Sequence, residues 1–180
     1  MIRALATCLA MVVVIATAQA QETTEVPAQE PPMTYERMAR IITALDPEAD
    51  TVPNGFFFHV ENVPVLIIFD VLADRMRAMV PIREAADIQP EELMRLMQAN
   101  FDSALDARYA VAQGRLWSVF IHPLSPLKRD QLISGVGQTV NIALTYGTLY
   151  SGGAMQFGGG DSGGLQRQLI DRLLDLGKDI

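Results

Sequence analysis

The sequence predicts an α+β domain in which helices pack on an antiparallel sheet of about five strands, in the order α-βββ-α-ββ-α. Two observations predict this class. Apolar residues recur at three- and four-residue steps in several separate stretches, which is the period of a helix that buries one face. Between these stretches lie short runs of Val, Ile, Leu and Phe, bounded by Asn, Gly, Pro and Asp, as is typical of antiparallel strands and their turns.

Three helices are predicted inside the domain, over 34–45, 90–103 and 125–148. Thr34 is a suitable cap for the first helix, and Ser125 with the following proline is a suitable start for the third. The second helix begins with a proline and two glutamates, which suit the first turn of a helix. Its predicted buried stripe comprises Leu93, Leu96, Met97 and Phe101.

The predicted strands cover 56–60, 64–72, 75–82, 108–112 and 115–122. Gln113-Gly114 joins the last two as a tight hairpin turn. The run from Val65 to Phe69 has no polar alternation, so we expect this strand to be central in the sheet and covered on both faces.

The two ends of the chain are predicted to lie outside this domain. Residues 1–20 have a short positive start, an apolar stretch and the small-x-small site Ala18-Gln19-Ala20, the pattern of a cleavable signal peptide. A retained membrane anchor is the alternative. After cleavage, 21–33 is a proline-containing flexible leader, 34–150 is the domain, 151–164 is a glycine-rich linker, and 165–180 is an amphipathic helix.

Export predicts a periplasmic or secreted protein that touches the membrane only through its signal peptide before cleavage. The only cysteine, Cys8, leaves with that peptide, so the mature chain forms no disulfide. Loss of the single positive charge of Arg3 takes the formal charge from −7 to −8. An acidic chain with scattered Lys and Arg argues against nucleic acid as a partner.

The order of elements resembles the type III secretion chaperone fold, which bacterial sensory transduction regulators of the YbjN type share. The resemblance covers roughly 34–150. It is carried by Leu93-Met94-Arg95-Leu96-Met97-Gln98-Ala99-Asn100, by Tyr109-Ala110-Val111-Ala112-Gln113-Gly114-Arg115-Leu116-Trp117 and by Pro123-Leu124-Ser125. It implies a protein-binding, chaperone-like role and symmetric dimers. Secretion chaperones lack signal peptides and the glycine-rich tail, so the resemblance bears on the fold more than on a role in secretion.

No catalytic, cofactor or metal site is predicted. Gly160-Asp161-Ser162-Gly163-Gly164 matches the nucleophile loop of chymotrypsin-like proteases, but it falls in the glycine-rich linker without a suitable histidine. The two histidines, His59 and His122, have no His or Cys at metal-ligand spacing, although their strands could bring them together. The acidic run of Asp46, Glu48 and Asp50 lacks the glycine and the final glutamate of a calcium loop. Gly135 and Gly137 are expected to permit close helix packing.

The predicted function is therefore that of a non-enzymatic, chaperone-like module that binds another exported protein or peptide, with a second copy of the chain as a further partner. The candidate binding surface is Phe56, Phe58, Met76 and Trp117. The terminal helix could instead fold back over that surface. Two other classes stay open: an envelope-associated structural or regulatory protein, and a hydrolase that uses carboxylates such as Asp70 and Glu61.

Overall fold

The structure, a computed structural model, describes residues 30–102, 105–147 and 163–178. Within these ranges the chain is an α+β fold, as the sequence predicts. The four helices are α1 (Tyr35–Leu45), α2 (Pro90–Asp102), α3 (Arg129–Leu144) and α4 (Gly163–Leu176). The six strands are β1 (Asp50–Val52), β2 (Gly55–Val60), β3 (Val63–Asp70), β4 (Arg75–Glu84), β5 (Arg108–Ala112) and β6 (Arg115–Pro123).

The described strands form a single antiparallel sheet in the order β1-β2-β3-β4-β6-β5. Five of the strands are those that the sequence predicts, and β1 is an additional edge strand. β3 is central, because it pairs with β2 on one side and with β4 on the other. The hairpin of β5 and β6 turns at Gln113-Gly114, where both residues have positive φ angles of 52° and 72°.

Helices α1 and α3 cover one face of the sheet, and the core lies between them and the strands. Alternate strand residues point into this core, so Phe58, Ile67, Met76 and Leu116 are all buried. At Gly135 a Cβ atom would lie 2.5 Å from the ring of Phe120, so α3 approaches β6 more closely than any other residue type allows. The prediction that these helical glycines permit close packing is confirmed.

The terminal helix α4 packs against α3 and also touches α1, on the same side of the sheet. Leu169 and Leu173 are buried there, and a Cβ atom at Gly137 would lie 2.8 Å from the side chain of Ile170. The buried amide of Asn141 donates to Gln166 Oε1 at 3.3 Å across the same interface. Leu169 and Leu173 of α4 are therefore buried inside the chain, whereas Leu165 and Leu176 of the same helix are exposed.

Several sequence-based expectations about the helices need correction. α3 begins at Arg129, because Ser125 bonds to the Asp74 carboxylate through its backbone N–H (2.7 Å) and its hydroxyl (2.9 Å) instead of capping a helix. The predicted stripe of α2 is wrong except at Leu96: the other members, Leu93, Met97 and Phe101, are 40%, 45% and 73% exposed. The core also includes Met33, which is N-terminal to the predicted domain start at Thr34.

Candidate functional site: the open face of the sheet

The described helices leave the second face of the sheet uncovered. The strand register places two cross-strand rows of mostly apolar residues on it. One row runs Phe57, Leu66, Met79 and Val119 across four neighbouring strands, and the other runs Ile68, Arg77 and Ile121. We call the surface formed by these side chains and Trp117 the open face; its members are Phe57, Leu66, Ile68, Arg77, Met79, Trp117, Val119 and Ile121.

The open face contains two adjoining hollows. The larger, of about 450 Å³, includes Leu66, Met79 and Trp117 in its lining. The smaller, of about 380 Å³, reaches the end of the sheet at Asp70. Both hollows are lined by Ile68, Arg77 and Ile121. This cross-strand row therefore forms the boundary between the two hollows, with a charged side chain at its middle.

Of the four residues predicted to form a binding surface, three are not on any surface. Phe56, Phe58 and Met76 have exposed fractions of 4%, 1% and 1%, and they point into the core beneath the helices. Phe56 stacks on Tyr35 of α1 with ring centroids 5.1 Å apart. Only Trp117 lies on the open face, where its indole N–H donates to the carbonyl of Ala112 at 3.0 Å. The prediction that these four residues form one surface is therefore wrong, because they lie on opposite faces of the sheet.

The sequence did contain a signal for the correct face. In β4, Met76, Ala78 and Val80 alternate with Arg75, Arg77 and Met79, and the arginines mark the side that meets solvent. Met79 shares that side, so Met79 rather than Met76 is the methionine of the open face. In β3, Leu66 and Ile68 are only half-buried there, and the expectation that this strand is covered on both faces is wrong for the described residues.

Side chains from outside the sheet bond to backbone groups of two of its strands, β2 and β5. On the β1 side, Asp46 Oδ2 accepts a hydrogen bond of 2.8 Å from the backbone N–H of His59, in the part of β2 beyond the residues that pair with β1. At the β5 edge, the amide of Asn100 bonds to both backbone groups of Tyr109: its oxygen accepts at 2.7 Å and its nitrogen donates at 3.1 Å. These contacts occupy backbone groups that an added strand would need. The open face is therefore more accessible to a partner than the β5 edge.

The histidines do not meet. His59 lies on the open side of β2, with its ring 5.2 Å from that of Phe57, whereas His122 lies on the covered side of β6 beside Phe120. Asp70 is the last residue of β3 and Glu61 lies in the turn before it, so the two carboxylates are at opposite ends of this strand, roughly 25 Å apart. Glu61 pairs with Arg172 of α4 at 2.7 Å.

Among the described residues no group of three His, Cys, Asp or Glu side chains is placed to hold a metal ion. The protease-like Asp161-Ser162 loop lies outside the described residues.

The acidic run after α1 has a structural role. Asp46 accepts hydrogen bonds from the backbone N–H groups of His59 and Glu48, and these bonds lower the pKa of its carboxyl. A hydrogen-bonded carboxylate of this kind holds the turn between α1 and β1. Asp46 therefore joins the loop after α1 to β2.

One titratable cluster lies away from the open face. The hydroxyl of Tyr146 donates to Glu92 and accepts a hydrogen bond of 3.2 Å from Arg83, and burial raises the pKa of Tyr146. These three residues belong to α2, to β4 and to the turn after α3, so the cluster fastens three elements together. The phenol is protonated at neutral pH, so this hydrogen-bonded cluster has a structural role.

A scan of the chain against protein-family models finds no match, and a search of curated proteins finds none. Within the part of the chain that the structure describes, no helix has both the length and the apolar character needed to cross a membrane.

Proposed function

We propose that this protein is an exported, non-enzymatic binding module that holds another exported protein or peptide on the open face of its sheet. The observation that carries the proposal is the central strand β3, which is apolar on both sides although the described helices cover only one. Strands with such continuous apolar runs are ordinarily buried on both faces. A contiguous apolar patch on a small soluble protein is typical of an interaction site.

The proposal favours the face over the β5 edge, since Asn100 already bonds to both backbone groups of Tyr109 on that strand. It also separates the site from α4. Leu169 and Leu173 are buried against the chain itself, which removes the main reason to propose that α4 docks on an envelope partner. The resemblance to secretion chaperones agrees with this function and stays a prediction.

A second copy of the chain is the other candidate for covering the open face, and it would make the protein a homodimer. Mutual burial of two open faces would protect the same side chains from water. Sedimentation measurements on the protein decide between these occupants, because a dimer held through the open face dissociates when a charge is placed in it.

The test is a pair of charge insertions in the exported, tagged protein. Ile121→Glu places a carboxylate in the open face, at a side chain that is 56% exposed, and the control Leu165→Glu changes an equally exposed apolar side chain (55%) on α4. We expect the unchanged protein and the control to co-purify with the same partner from the periplasm, and the Ile121 variant to lose it. Retention of that partner by the Ile121 variant, with unchanged folding, would contradict the proposal.

A further inference from the structure

Three arginines, Arg75, Arg77 and Arg108, lie on the open side of the sheet. Arg75 and Arg108 donate to backbone carbonyls, at 2.8 Å and 2.9 Å. Arg77 lies between the two hollows and has an apolar residue on each neighbouring strand. Its cross-strand neighbours are Ile68 on β3 and Ile121 on β6. It is exposed and makes no hydrogen bond or ion pair with any residue that the structure describes. Asp70 is the carboxylate in the lining of the hollows that could pair with Arg77. It lies at the end of the sheet opposite Arg75, and it accepts a hydrogen bond of 2.9 Å from the backbone N–H of Ala73.

We propose, building on the binding function above, that the open face takes a peptide segment in which a carboxylate is flanked by apolar side chains, and that Arg77 pairs with this carboxylate. The two hollows on either side of the row of Ile68, Arg77 and Ile121 receive the apolar side chains. A guanidinium holds a carboxylate through two parallel hydrogen bonds, and the surrounding apolar surface excludes water from that pair.

Charge argues for this occupant over a second copy of the chain. Two open faces stacked about a two-fold axis near their centres would bring Arg77 close to its own counterpart, with no described carboxylate of the open face between them. Burying two like charges in an apolar interface costs free energy. A partner that carries a carboxylate at this position would instead form an ion pair with Arg77 when the open face is buried.

The protein contains one tryptophan, and Trp117 lies in the lining of the larger hollow. Its fluorescence therefore reports directly on occupancy of the open face. The probes are two capped heptapeptides, Ser-Leu-Val-Glu-Val-Leu-Ser and the same sequence with Gln in place of Glu, titrated into the purified protein. We expect the Glu peptide to bind at least about tenfold more tightly, and its advantage to shrink as salt is added.

Two variants assign the preference to a residue. Arg77→Gln is expected to bind both peptides equally, at the affinity that the unchanged protein has for the Gln peptide. Its far-UV circular dichroism and thermal midpoint are expected to stay unchanged, because Arg77 has no described partner to lose. Arg40→Gln removes an exposed arginine of α1, on the opposite side of the sheet, and is expected to keep the full preference for Glu.

Other outcomes overturn the inference in distinguishable ways. Equal binding of both peptides to the unchanged protein would leave an apolar binding module without a carboxylate site. Arg77-dependent binding of decanoate without binding of the Glu peptide would assign the site to a lipid carboxylate. A dimer that Ile121→Glu dissociates would assign the face to a second copy.

Failure of both peptides to bind, while Ile121→Glu still abolishes partner co-purification, would reject only the peptide chemistry. Failure of both experiments would reject the proposed function too.

Discussion

Gly135 lies where α3 crosses the sheet, and its missing side chain sets the distance between them. A Cβ atom at this position would lie 2.5 Å from two ring carbons of Phe120, which is itself a core residue. By contrast, a Cβ atom at Gly164 in α4 would meet nothing within 4 Å. The same substitution at these two helical glycines therefore separates the effect of packing from the intrinsic preference of alanine for helices.

We expect Gly135→Ala to lower the free energy of unfolding by about 1–2 kcal/mol, because overpacking outweighs the gain of about 1 kcal/mol in helix propensity. Gly164→Ala is expected to leave stability unchanged or raise it by up to about 1 kcal/mol. Urea unfolding of both variants measures the difference. Equal effects at the two sites would show that α3 does not contact Phe120 so closely.

Asp74 joins the turn between β3 and β4 to the segment before α3. The hydrogen bond from the Ser125 backbone N–H lowers the pKa of the Asp74 carboxyl below its ordinary value of 3.8, with smaller effects from the Ser125 hydroxyl and from Arg75. A lowered pKa means that the ionised form is favoured by folding. This contribution is present above pH 3.8 and is lost as the pH falls through the lowered value.

Asp74→Asn tests this contact without disturbing the backbone, since asparagine tolerates the positive φ of 51° at this position. We expect the variant to have a lower thermal midpoint than the unchanged protein at pH 7, and the gap to narrow as the pH falls below 3.8 and through the lowered pKa of Asp74. A gap that is constant across this range would show that the charge of Asp74 does not contribute.

At the scale of elements, α4 is an integral part of the fold rather than a free appendage. Leu173 is 5% exposed in its interface with α3, whereas Leu176, three residues further along the helix, is 56% exposed. We expect Leu173→Ala to cost about 2–4 kcal/mol of stability and Leu176→Ala less than about 0.5 kcal/mol. Chemical denaturation measures both. Similar small effects would mean that α4 does not pack as described.

Strand positions and the central place of β3 follow from local signals in the sequence, namely turn residues and apolar runs. β1 was not predicted, because it has only three residues, Asp50 to Val52, and they carry no apolar pattern. Local signals did not predict the start of α3 correctly, because Ser125 and its proline also suit a turn. The competing partner of Ser125, Asp74, is 51 residues away. Capping signals identify a candidate position, whereas tertiary contacts decide whether it is used.

The candidate site was harder to predict, for a physical reason. Alternation within a strand separates two sets of side chains but does not say which set the helices cover when both are apolar. In β2, Phe56 and Phe58 alternate with Phe57, and nothing local distinguishes them. Only the arginines of β4, carried across the sheet by the strand register, identify the uncovered side.

At the scale of the whole molecule, the account requires export. The pattern of Arg3, the apolar stretch and Ala18-Gln19-Ala20 predicts cleavage after Ala20. Mass spectrometry of the protein from the cell envelope fraction is expected to find Gln21 as the N-terminal residue. A cytoplasmic protein that starts at Met1 would contradict this prediction and, with it, the assignment of the partner to the exported proteins.

The central claim is that the open face holds an exported partner, and site-specific photo-crosslinking tests it most directly. A photoreactive amino acid at position 121 places the reactive group on the open face, and the same group at position 165 of α4 is the matched control, because the two native side chains are 56% and 55% exposed. The account predicts an adduct between this protein and a different exported protein from position 121 and none from position 165. An adduct with a second copy of the chain alone, or equal labelling from both positions, would contradict it.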